Sequence, residues 1–199
     1  TLLVRTHDAS DRPFPLRHHL RRATRLQHNP ATMSITAAAP IRTLDSMPAH
    51  ARAWVYKAAR DLGQAEQKLV HERGAMFTAA WAAHGAPLDA CVEVLFNRFV
   101  VIAVDEAQAE ASGCSIDKSV AFIKQLEHDL NLMLTDRMVV VYEGANGITS
   151  CRLQDLPTLL KSGAISSATV VYDDLVSTVG ELHDRFRVPL NSSWMQRFL

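Results

Sequence analysis

The sequence contains little cysteine and no long apolar run. Cys91, Cys114 and Cys151 are odd in number and widely spaced in a chain of 199 residues, so they form neither a disulfide framework nor a Cys-x-x-Cys metal motif. No apolar run approaches the roughly 18 residues that a membrane helix requires, and no short apolar block follows a basic start, as it would in a signal peptide. These absences favour a reducing compartment, and they predict a cytoplasmic protein without a membrane span.

The chain also lacks net charge, but its charges are unevenly distributed. Residues 1–32 carry six arginines against two aspartates, whereas the other residues carry 15 basic and 19 acidic groups. Three prolines and low hydrophobicity predict that residues 1–33 are a disordered basic arm, or translated residues upstream of a natural start at Met33. A basic arm can attract nucleic acid. That interpretation depends on the arm alone, so we do not expect nucleic acid as the partner.

Residues 34–199 are predicted to form a single α+β domain. From residue 52 the hydrophobic pattern predicts strand, helix, strand, strand, helix, strand, and then strand, helix, strand, helix. These elements are, in chain order, 52–57, 64–83, 90–96, 99–105, 115–130, 138–143, 148–153, 156–161, 169–172 and a last helix opened by the Thr178-x-x-Glu181 capping box. The first six match the ferredoxin-like split βαβ plan, β-α-β-β-α-β. The last four are expected to extend its sheet or to pack against its edge.

Three local features refine this prediction. Residues 99–105 have no polar face, which indicates a central strand covered on both sides. Gly85 is placed where a helix would end in a left-handed cap. Ser115 is a candidate N-cap, with Asp117 favoured by the positive end of the following helix dipole. The residues expected to be buried on that helix are Ile116, Val120, Ile123 and Leu126.

From Thr43 to the C-terminus the chain resembles a family of small bacterial proteins, known from the Bacteroidota, that automated labelling often describes as ABC transporter ATPases. The residues that carry the resemblance are Trp54-Val55-Tyr56 with Arg60, Trp81-x-x-His84-Gly85, Asn97-Arg98-Phe99, Gly113-Cys114-Ser115-Ile116-Asp117, Asp136-Arg137 and Ser193-Trp194-x-x-Arg197-Phe198. The resemblance implies no established activity. The ATPase label itself fails, because such an enzyme requires G-x-x-x-x-G-K-[ST] and the sequence contains no such segment.

The predicted topology brings one set of reactive side chains to one end of the sheet. Its members are His84, Asp105, Glu106, Cys114, Ser115 and Asp117. Ahead of a helix N-terminus the Cys114 thiolate would be stabilised, and His84 could then act as its base, with Asp117 nearby. Alternatively, all of these residues are structural, with Cys114 buried and Ser115 a cap. A zinc site is a third possibility, but the spacing matches no metal motif, and we expect no metal or other cofactor.

Three arginines are expected at the opposite end of the sheet. Arg60, Arg98 and Arg137 could together clamp a phosphate or a carboxylate, because guanidinium groups bind such anions through paired hydrogen bonds. Alternatively, they pair with their sequence neighbours Asp61 and Asp136 and are structural.

Two functions of different classes follow. The first is a non-catalytic binding or adaptor domain for an anionic small molecule or a protein partner, which predicts an open arginine cluster and a buried Cys114. The second is a small cysteine-dependent enzyme or redox-responsive protein, which predicts an accessible Cys114 with His84 within hydrogen-bond reach.

Overall fold

A computed structural model describes residues 42–199. The predicted arm at residues 1–33 and the segment up to residue 41 lie outside this range. The strands are β1 Arg52–Lys57, β2 Ala82–Ala83, β3 Ala86–Pro87, β4 Asp89–Leu95, β5 Phe99–Asp105, β6 Val139–Gly144, β7 Gly147–Arg152, β8 Val170–Tyr172 and β9 Arg187–Pro189. The α-helices within the described range are α1 Gln64–Ala80, α2 Gly113–Leu130, α3 Leu156–Lys161 and α4 Val179–Arg185. The α+β class is therefore confirmed, and none of these helices meets the length and hydropathy needed to cross a bilayer.

Strand β5 is the centre of the first sheet. The sheet has the order β1-β5-β4, and every neighbouring pair is antiparallel. Residues 99–104 are all fully buried, which confirms that this apolar strand is covered on both faces. Because successive side chains of a strand point to opposite faces, β5 contributes to two separate cores. Phe99, Val101 and Ala103 enter one core, and Val100, Ile102 and Val104 enter the other.

Each face of the first sheet is covered by a different layer. The core that contains Val100 is closed by α1 and α2, through residues such as Val70, Ile123 and Leu126. The core that contains Phe99 is closed by α4 and by a second sheet, of order β7-β6-β8-β9. The opposite face of that second sheet packs on α3 and on the C-terminal segment. The resulting order is helices, sheet, sheet, helix.

The ferredoxin-like topology is not confirmed, although the order of the first three predicted strands agrees with it. In that plan the fourth strand would pair with β1, whereas β6 pairs with β7 and β8. Two segments occupy the outer edge of β1 instead. The Ala53 N–H donates to the Ser177 carbonyl at 2.9 Å, and the Lys57 N–H donates to the Leu134 carbonyl at 3.3 Å. The strand β6 packs face to face on the first sheet through its buried valines.

Helix α2 begins at Gly113, two residues before the predicted start at residue 115. Its N-cap is Ser112, whose side chain accepts a hydrogen bond from the Ser115 N–H. Ser115 is therefore a buried residue of the first turn and not the cap, and Asp117 lies in the second turn. The predicted burial of Ile123 and Leu126 is confirmed, but Val120 is 37% exposed, because the small residues Ser115 and Ser119 occupy the buried face.

Helix α1 ends at Ala80, earlier than predicted. The buried Trp81 leaves the helix, and its indole N–H donates to the Ser115 carbonyl at 2.9 Å. His84 and Gly85 then form a two-residue turn between β2 and β3, and both have positive φ angles. Such angles are typical of the type I′ turn of a tight hairpin. Gly85 is thus a hairpin glycine and not a helix cap.

The other predicted elements agree closely with the structure. The hairpin of β6 and β7, helix α3, strand β8 and the Thr178 cap of α4 lie within one residue of their predicted bounds. Strand β9 and the small hairpin of β2 and β3 were not predicted. Helix α1 packs tightly on β4 at Gly74, where an added Cβ atom would lie 2.8 Å from the Val92 Cβ atom.

We expect Gly74→Ala to lower the free energy of unfolding by about 1–2 kcal/mol, although alanine favours helix over glycine. The β-branched Val92 cannot easily move aside. Urea denaturation would measure the loss. Gly113→Ala is the matched control, since no atom lies within 4 Å of its added Cβ, and it should cause no loss. In a Val92→Ala background the Gly74→Ala loss should disappear; an unchanged loss there would contradict the close contact.

Candidate functional site

The predicted cysteine site is only partly assembled. The bond from Trp81 to Ser115 joins the end of α1 to the first turn of α2, and this places the His84 turn near the start of α2. Cys114 is exposed, and so is His84. Within residues 42–199, however, no hydrogen bond links Cys114 to His84 or to Asp117. The structure therefore presents an accessible thiol without a bonded base. The burial of Cys114, which the structural alternative and the binding-domain hypothesis both predicted, is wrong, because Cys114 is exposed in the first turn of α2.

The acidic residues predicted for this end hold a loop. Asp105 accepts from the Ala107 N–H at 3.0 Å and contacts His50 Nε2 at 3.1 Å. The Ala107 N–H is the main cause that lowers the pKa of Asp105. Glu106 accepts from the Ala111 N–H at 2.9 Å. These bonds shape the connection from β5 to α2. The described part of the chain contains no group of three or more His, Cys, Asp or Glu side chains that could hold a metal ion.

Arg60 has a structural partner close in sequence. It donates to both carboxylate oxygens of Glu66, at 2.7 and 2.8 Å. Glu66 also accepts from the Gly63 N–H at the start of α1. The Arg60 hydrogen bond, followed by the Gly63 N–H, lowers the pKa of Glu66 to about 2. Arg60 is thus bound to the first turn of α1.

Arg98 is buried and its donors are also occupied. It donates to Asp61 Oδ1 at 2.7 and 2.9 Å, and to the carbonyls of Ala59 and Ile148. Arg60 and Arg137 are both exposed, and of the three predicted arginines only Arg137 lacks an ion-pair partner among the described residues. Its neighbour Asp136 pairs with Arg152 instead. Arg60 and Arg98 are therefore engaged in structural ion pairs, whereas the Arg137 guanidinium is available to a ligand.

A large groove lies along the outer edge of β1, and Arg137 lines it. The groove encloses about 960 Å³. One wall comes from Val120 and Lys124 of α2, and the other from residues 174–177 and the C-terminal 3-10 helix, Trp194–Phe198. The loop at residues 134–138 closes one end. With Leu153, six segments that are separate in sequence contribute to the groove.

The side chains of the groove carry an excess of positive charge. The basic lining residues are Arg52, Lys57, Lys124, Arg137 and Arg197, and the acidic ones are Asp136 and Asp174. Both acids already have partners: Asp174 pairs with Lys57, and Asp136 pairs with Arg152. Hydrogen bonds from Arg152 and then from the Met138 N–H hold the pKa of Asp136 below its usual value. The acids therefore do not neutralise the remaining four cations.

Aromatic rings accompany these cations. The Arg52 guanidinium lies 4.7 Å from the centre of the Trp54 ring, and the Arg197 guanidinium lies 4.9 Å from that of Trp194. Trp194 is held in place because its indole N–H donates to Asp174 at 3.3 Å, and Asp174 in turn pairs with the buried Lys57. Trp194 and Phe198 are both partly buried and pack against the core that contains Val140 and Leu156.

Sequence reasoning did not identify Arg52, Lys124 or Arg197 as site residues. No local pattern joins them, because they belong to a strand, a helix and the C-terminal segment. One weak signal was available: Lys124 follows Val120 by four residues, so both lie on one face of α2.

Comparison with protein-family models, with curated proteins and with solved structures finds no match to this chain.

A thiol reagent at neutral pH should label one cysteine rapidly in the native protein and three after denaturation. Cys114 is exposed, whereas burial raises the pKa of Cys91 to about 12 and raises that of Cys151. Cys114→Ser should remove the rapid phase. His84→Ala should leave the labelling rate of Cys114 unchanged. His183→Ala, at another exposed histidine, is the matched control. A rate that falls tenfold with His84→Ala alone would instead support a base at His84.

Glu66→Gln should lower the free energy of unfolding at pH 7 by about 1 kcal/mol, a value discounted for solvent screening of a partly exposed pair. Because the pKa of Glu66 is lower in the folded protein, its contribution is present above the ordinary value of 4.5 and is lost as the pH falls toward about 2. The difference from the wild type should therefore shrink over that range. Glu72→Gln, at an exposed pair with Lys68, is the control, with a smaller effect. A Glu66→Gln difference that stayed constant down to pH 2 would contradict the assignment.

Proposed function

We propose that this protein is a non-catalytic binding domain and that the groove along β1 receives an anionic ligand. One observation carries the proposal: four cations line the groove with no strong ion-pair partner, and two of them lie against tryptophan rings. Arg52 has only a distant contact, 3.9 Å from Glu106. Such a site attracts an anion by charge and offers planar donors for a carboxylate or a phosphate.

The predicted arginine cluster is modified in this proposal. Arg137 keeps its role as an anion-binding residue, whereas Arg60 and Arg98 support the fold through Glu66 and Asp61. The new members of the site are Arg52, Lys124 and Arg197. The order β1-β5-β4 of the first sheet also supports relating the fold to the split βαβ plan. The bacterial family suggested by the sequence motifs is a further hypothesis.

A second candidate function is a cysteine-dependent or redox-responsive protein, and the exposure of Cys114 favours it. The missing bond between Cys114 and His84 within the described residues counts against a catalytic pair. The His84→Ala variant in the thiol-labelling experiment tests that catalytic pair.

Iodide quenching of tryptophan fluorescence tests the groove without knowledge of its ligand. Trp54 and Trp194 line the groove, whereas Trp81 is 1% exposed and provides an unquenched background. Iodide is an anion and should be concentrated near the groove cations. The double substitution Lys124→Glu with Arg137→Glu should therefore reduce the quenching constant about twofold at low salt, and added chloride should reduce this difference because it screens the charges.

The matched control is Lys161→Glu with Arg185→Glu, which reverses two exposed charges outside the groove. It should leave iodide quenching unchanged. Acrylamide, an uncharged quencher, should affect all three proteins equally, which shows that the tryptophans keep their exposure. If iodide quenching is the same in the groove variant and in the control variant, the groove does not concentrate anions and the proposal fails.

A further inference from the structure

The outer edge of β1 has one open position in its backbone hydrogen bonding. On this edge the N–H groups of Ala53 and Lys57 bond to the carbonyls of Ser177 and Leu134. In an antiparallel strand the backbone groups of alternate residues point to the same edge, so the N–H and C=O of Val55 point away from β5 as well. No described residue bonds to either group, and Val55 lines the groove.

The open position has the length of a short extended peptide. Ala53 and Lys57 are four residues apart, which corresponds to roughly 13 Å along a strand. Unpaired backbone groups at a sheet edge are a template for a further strand. Peptide recognition by strand addition uses this geometry, with main-chain bonds for affinity and side-chain pockets for specificity.

The groove walls also offer apolar contacts that a small anion would not use. Val120, Met138 and Leu175 are exposed large hydrophobic residues, at 37, 44 and 68%, and all three line the groove. Val120 lies on the same helix wall as Lys124, Met138 follows Arg137 in the loop at one end, and Leu175 lies on the other wall. A ligand that satisfies both kinds of side chain carries apolar and acidic groups in alternation.

We propose that the occupant of the groove is an acidic peptide segment in extended conformation, which adds a short strand to β1 at Val55. One peptide residue donates its N–H to the Val55 carbonyl and accepts from the Val55 N–H. Its acidic neighbours contact Lys124 and Arg137, and its apolar side chains contact Leu175 and the tryptophans. This inference depends on the proposed function, since it names the class of anion that the groove receives.

Charge complementarity favours an acidic segment from another protein over the chain's own first 32 residues. Those residues carry six arginines against two aspartates, so they share the charge of the groove. Inorganic phosphate satisfies the cations but leaves the Val55 backbone groups and the apolar walls unused.

The test uses the full-length protein and an acetylated, amidated peptide of alternating Glu and Val residues, which begins and ends with Glu. Fluorescence anisotropy of a labelled copy measures its dissociation constant. The peptide should bind at low salt, and the same peptide with Lys in place of Glu should bind at least tenfold more weakly. Lys124→Glu with Arg137→Glu should weaken the acidic peptide at least tenfold, while Lys161→Glu with Arg185→Glu leaves it unchanged.

Two further changes address the backbone bonds. N-methylation of every second peptide amide removes the donors on one edge of the added strand, and only one of the two alternate sets should weaken binding, by about tenfold. Val55→Pro removes the N–H that faces the groove, and proline is tolerated at an outward-facing position of an edge strand. It should weaken binding by a similar factor. If Val55→Pro does not fold, the two N-methylated peptides still decide the question.

The outcomes separate the two proposals. Strand addition would be overturned if the two N-methylated sets weakened binding equally. It would also be overturned if the acidic peptide did not bind while iodide quenching still depended on the groove charges. In both cases the groove would stay an anion site for another ligand. Tripolyphosphate that binds at least as tightly as the peptide, and displaces it, would also assign the groove to small anions. If Lys124→Glu with Arg137→Glu left iodide quenching unchanged, the proposed function itself would be overturned.

Discussion

The burial of β5 on both faces is the constraint on which the rest of the structure depends. Six consecutive apolar side chains alternate between two cores, and each core must be closed by a separate layer because exposed apolar surface is costly. Helices α1 and α2 close one core, while α4 and the second sheet close the other. The second sheet then has an outer face of its own, which α3 and the C-terminal segment cover.

Elements with a strong local pattern could be predicted from the sequence. The alternation in β1, the apolar run of β5 and the box at Thr178 each depend on residues that are close together in the chain, and their bounds agree with the structure. The end of α1 could not be predicted, because it depends on the distant bond between Trp81 and Ser115. The strands that pair with β6 could not be predicted either, because the packing between the two sheets determines that pairing.

The candidate site shows the same division. The sequence indicated Asp61 and Asp136 as partners of the arginines next to them, but Asp61 binds Arg98, which is 37 residues away. Arg60 instead reaches Glu66, one turn into the helix that follows. The groove cations are separated by tens of residues, and their common feature is the wall that they line. Their meeting depends on how α2 and the C-terminus pack around β1, which no spacing rule in the sequence encodes.

The contacts at the two ends of the β1 edge have a consequence for self-association. A long open edge strand invites pairing with the same strand of another copy, and proteins avoid this by keeping such edges short or covered. Here the Ser177 and Leu134 carbonyls bind the N–H groups at the two ends of this edge. Two folded copies therefore cannot pair β1 with β1 along the whole strand, and this edge of the sheet is protected from acting as a seed for fibrils.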